Sequence, residues 1–292
     1  MPKQSPSKGC SIDPATIALG LSLQIERSFA DPTSKSELLA RYVGARGIPG
    51  RKPDEQSSLV YWGHTSPIQR ELSKRDWEIV KTTKKLSDLS LIESWKVWLA
   101  VWSCSNIFEV KNVALLALSS PAYGELRLKR AKDLFALAAS IDNWAHSDSL
   151  SSMLAAIIEA KPDLLSKYTL WNRSKNPWLR RQSIVGVYYY ARLRKKHISP
   201  KLAFSLIEPL LEDSHFYVQR GVGWALREAD RVDSEAQRKF VRKNLSRISS
   251  VAWFATSEFY PLKLRSELTD LRKIGRKRAK TKMLERVGHV LR

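Results

Sequence analysis

Residues 140–160 read SIDNWAHSDSLSSMLAAIIEA. If this stretch is helical from Trp144, a 100° step per residue puts Trp144, Asp148, Ser151, Ser152 and Ala155 on one face. Leu150, Met153, Leu154 and Ile157 then lie opposite, as core. A carboxylate stands one turn from an indole, away from the apolar side. In a chain of net charge +21, a lone acid facing a place for anions repels its ligand. Either Asp148 caps its helix or pairs with an arginine, Arg181 being the candidate, or the negative charge is itself needed. His146 has no Ser or Cys partner and reads as a surface residue.

A second stretch, SHFYVQRGVGWALREAD over 214–230, also has helical spacing. Val218, Val222 and Ala225 form its core face, while Arg220, Trp224 and Arg227 recur at i, i+4, i+7 on another side. An indole between guanidiniums suits a sugar-phosphate backbone, with arginines on phosphates and the ring on sugar or base. The alternative is an interhelix tryptophan whose arginines bond neighbouring carboxylates. Gly221 and Gly223 each cost a helix about 1 kcal/mol against alanine, which points to close approach by another helix or a ligand backbone. In SKNPWLRRQSIVGV, residues 174–187, Trp178 and Arg181 lie three apart and Arg180 points elsewhere. Arginines early in a helix oppose its dipole, so their partner is an external anion or an acid of a neighbouring repeat.

These residues need helices to hold them, and the sequence supplies start signals. Asp13-Pro14, Thr65-Ser66-Pro67, Asn176-Pro177 and Ser199-Pro200 each place a capping residue ahead of a proline suited to the first turn. Helical patterns cover 14–29, 34–42, a run from Ser66, 89–102, 106–119, 126–139, 144–160, 162–171, 176–193, 199–211 and 214–230. The stripe Leu91, Trp95, Trp98, Trp102 reads as core packing. No strand or hairpin pattern occurs. Short helices recur in pairs, and NPWLRRQSIVG and SHFYVQRGVGW are loosely similar starts. The expected fold is all-α, a HEAT-like solenoid with a concave basic groove, an irregular helical bundle being the alternative. Residues 1–10 read as a disordered start, 11–271 as the repeat domain with a loop insertion over 43–60, and 272–292 as a basic C-terminal segment. That segment extends the last helix across a nucleic-acid backbone, or is a solvated tail or an import signal.

Composition narrows the partner. The chain has 292 residues, 50 Lys and Arg against 29 Asp and Glu, and ten tryptophans. Such a basic balance fits a polyanion: DNA, RNA or an acidic membrane surface. Cys10 and Cys104 lack partners at metal-ligand spacing, so no zinc site or disulfide framework is expected and a reducing compartment fits. No signal peptide or membrane span is expected. There is no Walker loop, dinucleotide fingerprint, HExxH or EF-hand, so no cofactor or metal is expected.

Taken together, the segments IDNWAHSDSL, WNRSKNPWLRRQSIV, YVQRGVGWALRE and YWGHTSPIQRELSK resemble the AlkD-type DNA alkylation-repair glycosylases, a HEAT-like family, from about Arg41 to the last helices. The resemblance implies Asp148 as catalytic carboxylate and Trp144 and Trp224 as lesion-site aromatics. It implies Arg181 and Arg227 as groove cations on DNA phosphates, and Tyr42 as a third aromatic. Arg220 stands where Lys is usual, Ala145 where an acid is frequent, and Asn143 where a further aromatic is common. The implied activity is monofunctional hydrolysis of the N-glycosidic bond of cationic N3- or N7-alkylpurines, without cofactor. Asp148 would stabilise an oxocarbenium-like sugar and position water, and indoles would attract the cationic base. The implied partner is double-stranded DNA, bound by a monomer in the cytoplasm, at the nucleoid if bacterial. Two further functions fit the residues: a non-catalytic binder of distorted or branched DNA, and a scaffold meeting acidic proteins.

Overall fold

The computed structural model describes residues 13–29, 31–80, 82–194 and 196–290; the expected disordered start at 1–10 lies outside them. The fold is all-α. Among the described residues there is no strand, and only two isolated bridges occur, Val60 with Ile107 and Glu78 with Lys85. The chain divides into two compact units: Met1–Gly50 with Ser57–Lys129, and Arg51–Gln56 with Arg130–Arg292.

The first unit holds α1 (Pro14–Ser28), α2 (Ser36–Tyr42), α3 (Ser66–Lys74), α4 (Leu91–Cys104), α5 (Phe108–Leu118) and α6 (Gly124–Lys129). The Asp13 carboxylate accepts from the Thr16 amide, capping α1 as its Asp-Pro signal requires. Helix α4 packs on α1 and α5. Its Trp95, Trp98 and Trp102 are buried core, whereas Leu91, at the first turn, is exposed. Glu109 is fully buried and accepts from the amides of Trp62, Gly63 and His64, which pins the turn before α3.

The second unit holds α7 (Ala131–Leu137), α8 (Trp144–Ala160), α9 (Leu165–Asn172), α10 (Pro177–Val185), α11 (Pro200–Ile207), α12 (Phe216–Val232), α13 (Ser234–Lys243), α14 (Ser250–Thr256) and α15 (Leu262–Val290). Helix α10 packs on α8, α9 and α12, and α12 on α13 and α14. Val218, Val222 and Ala225 are buried as the α12 spacing requires. Both glycines of α12 admit a helix. A Cβ on Gly223 would strike the backbone of Ala252 in α14, and one on Gly221 would lie 3.1 Å from the Arg181 Cγ in α10.

Four expectations change. The pattern over 126–139 is two helices, α6 and α7, interrupted at Arg130. The pattern over 176–193 is not one helix: α10 stops at Val185, and residues 188–190 turn away. A Cβ at Gly186 would strike the Tyr168 hydroxyl, and Tyr190 takes a left-handed φ of 46°. The insertion over 43–60 is in part docked structure, because Arg51–Gln56 belongs to the second unit. There the buried Glu55 accepts from the Phe216 amide at 2.9 Å, at the start of α12. Finally, the boundary at 272 falls inside α15, where Arg272 and Arg276 both donate to the Ile248 carbonyl at 3.0 Å.

Candidate functional site

Helix α8 begins at Trp144 because Asn143 caps it. The Asn143 Oδ1 accepts from the His146 amide at 2.9 Å, and its Nδ2 lies 3.0 Å from the His146 Nδ1. His146 is therefore a core residue, 1% exposed, and the expectation of a surface position fails: the cap draws the ring inward. Asp148 follows Trp144 by one turn; both residues are half-buried.

The face of α8 that carries them is not solvated along its length. Ser147, Ser151 and Ala155 are fully buried, because α10 packs there. A polar ladder joins the two helices. Ser147 Oγ donates to Gln182 Oε1 at 2.8 Å, and Gln182 Nε2 donates to Ser151 Oγ at 2.7 Å. Arg181 completes it, donating from one terminal nitrogen to Ser147 Oγ and from the other to Asp148 Oδ1, the latter at 2.6 Å. The Arg181 side chain is 6% exposed and that of Asp148 26%. The carboxylate is thus held on its inner side by a buried cation and remains open on the other. Of the alternatives for Asp148, capping does not occur and pairing with Arg181 does. Arg180 instead pairs at 2.6 Å with Asp213, in the connection that precedes α12.

Trp224 lies on α12, half-buried. Tyr189 tilts against it with centroids 5.1 Å apart, and Tyr190 meets it edge-on at 6.0 Å. Burial pushes the Tyr189 hydroxyl well above the ordinary phenol range, and the nearby Asp148 charge pushes it further. Tyr189 thus packs on the α12 indole and feels the α8 acid. The Arg227 guanidinium sits 5.4 Å from the Trp224 ring centre. It is also paired with Glu258 at 2.8 Å and Glu228 at 3.3 Å. Arg220 is exposed and forms no ion pair among the described residues.

The second unit thus holds two contact groups, Asp148 with Arg181 and Trp224 with Arg227, with Trp144 one turn from Asp148. Tyr42 belongs to the first unit, as the last residue of α2, and is 68% exposed. Reading the sequence missed Tyr189, Ser147 and Gln182. The run of three tyrosines is the available signal for the first, and its spacing continues the helical pattern of 176–193. Among the described residues no group of three metal-ligating side chains occurs, and no helix is long and apolar enough to cross a membrane.

The family model described as DNA alkylation repair enzyme matches residues 55–255. No curated protein sequence matches the chain. Among solved structures, one similar fold is a predicted DNA alkylation repair enzyme from Enterococcus faecalis. It is 15% identical with a TM-score of 0.53, the alignment covering 86% of this chain and 97% of that one.

Proposed function

The chain belongs to the family of DNA alkylation repair enzymes, and on that premise we propose that it is a monofunctional DNA glycosylase that excises cationic N3- and N7-alkylpurines from duplex DNA. The observation that carries this reading is the Asp148 carboxylate, clamped by Arg181 at 2.6 Å yet open to solvent, one turn from Trp144. An alkylated purine is already a good leaving group, so strong protonation of the base is unnecessary. The barrier lies in the oxocarbenium-like sugar, and a fixed carboxylate beside it lowers that barrier electrostatically while orienting water. Arg181 sets the direction of the carboxylate before substrate arrives, so little reorganisation is needed during reaction. Trp144 and Trp224 give π-faces to the sugar and cationic base, each attraction worth roughly 0.5–2 kcal/mol. Neutral bases gain no such term.

The test is release of N7-methylguanine from methylated duplex DNA, measured by mass spectrometry. The wild-type chain is expected to release base above the spontaneous rate, and Asp148→Asn to lower that rate about 100-fold or more. Release at only the spontaneous rate by the wild-type chain refutes the catalytic reading.

One observation favours a second reading, a non-catalytic binder of distorted or branched DNA. Arg220 is exposed and forms no ion pair among the described residues, so a phosphate contact beside Trp224 needs no part of Asp148. That reading expects salt-sensitive DNA binding that survives Asp148→Asn, with no base released.

A further inference from the structure

The turn over residues 188–194 is held more firmly than a connection between α10 and α11 requires. The Ala191 amide donates to the buried Glu228 carboxylate at 3.0 Å, and the His197 Nε2 lies 3.0 Å from the Ala191 carbonyl. The Tyr188 hydroxyl donates to the Ile198 carbonyl at 2.9 Å. Arg194 donates to the Tyr189 carbonyl at 2.8 Å while reaching Glu159 and the Ser152 carbonyl on α8. Tyr190 occupies the left-handed region at φ 46°, which side chains other than Gly, Asn and Asp seldom adopt. Strain of this kind persists where surrounding contacts enforce it, and it gathers at functional sites.

These anchors present apolar groups to solvent. Leu193 is 74% exposed and Tyr190 42%. Arg192 between them is exposed and forms no ion pair with another described residue. The Tyr190 ring is continuous with the candidate site through its edge contact with Trp224. Exposed apolar side chains flanking a free guanidinium match a nucleic-acid duplex, which offers deoxyribose and base faces beside phosphates.

We propose that this turn is a DNA-contacting element that recognises a duplex distorted beside the candidate site. Tyr190 and Leu193 pack on exposed sugar and base faces, and Arg192 takes the adjacent phosphate. The inference rests on the reading of the chain as a DNA-binding repair protein and adds the residues that select distorted over regular duplex.

The experiment measures fluorescence anisotropy with two labelled duplexes, one intact and one carrying a tetrahydrofuran abasic analogue. Leu193→Ser alters a side chain that is already mostly solvated, and Tyr190→Asn keeps a residue type that tolerates the left-handed region. Each is expected to weaken binding to the analogue duplex about fivefold or more, with less than about a twofold change on the intact duplex. Wild-type affinity of both variants for the analogue duplex overturns the proposal, and so does equal weakening on both duplexes. Failure of the wild-type chain to bind either duplex overturns the DNA-binding reading together with it.

Discussion

Arg181 satisfies two acceptors on α8 at once, Ser147 and Asp148, from a side chain that is 6% exposed. Removing it leaves a carboxylate facing a buried gap with no counter-charge. Arg181→Ala is therefore expected to destabilise the fold by about 3 kcal/mol, read by urea denaturation. A loss under about 1 kcal/mol contradicts the clamp. Arg181→Lys does not restore it, since one ammonium lacks the planar fork that spans both oxygens. The pairing of Asp148 with Trp144 was legible in the sequence because both sit on one helix at i, i+4. Its pairing with Arg181 stood as one of several alternatives, because it depends on how α8 and α10 meet. Tyr189 was illegible for a similar reason. Its ring partner, Trp224, comes from a helix that residue spacing does not bring near it.

Two glycines of α12 separate stability from activity. At Gly223 an added Cβ meets the Ala252 backbone, which cannot rotate aside. Gly223→Ala is expected to cost about 3 kcal/mol in thermal or chemical unfolding. At Gly221 the nearest atom is a side-chain carbon, the Arg181 Cγ at 3.1 Å. There the gain in helix propensity, about 1 kcal/mol, offsets much of the crowding. Gly221→Ala should leave stability within about 1 kcal/mol of wild type while lowering base release, because it presses on the residue that aims Asp148. Unchanged release with unchanged stability would show that Arg181 tolerates displacement. The helix starts at Asp13, Asn176 and Ser199 are legible in sequence, since their signals act within one turn, whereas α3 starts without a side-chain cap. The end of α10 was not, since Tyr168 crowds Gly186 and Glu228 holds Ala191 from elsewhere in the chain.

The excess of 50 basic over 29 acidic residues acts on the molecule as a whole. Binding to duplex DNA should weaken linearly on a log–log plot of affinity against salt, with a slope of roughly −0.9 for each phosphate neutralised. Replacing the exposed Arg220, which has no acid partner among the described residues, by Ala should reduce that slope by about one. Affinity independent of salt would rule out a backbone-led interaction. The docked strip Arg51–Gln56 carries a different consequence. Glu55 meets the first amide of α12 from a position 161 residues earlier, so the second unit is assembled from two separate lengths of chain. A recombinant fragment starting at Arg130 would leave that amide bare. Supplying the six-residue strip as a free peptide would ask two molecules to find each other where the intact chain needs only to fold back.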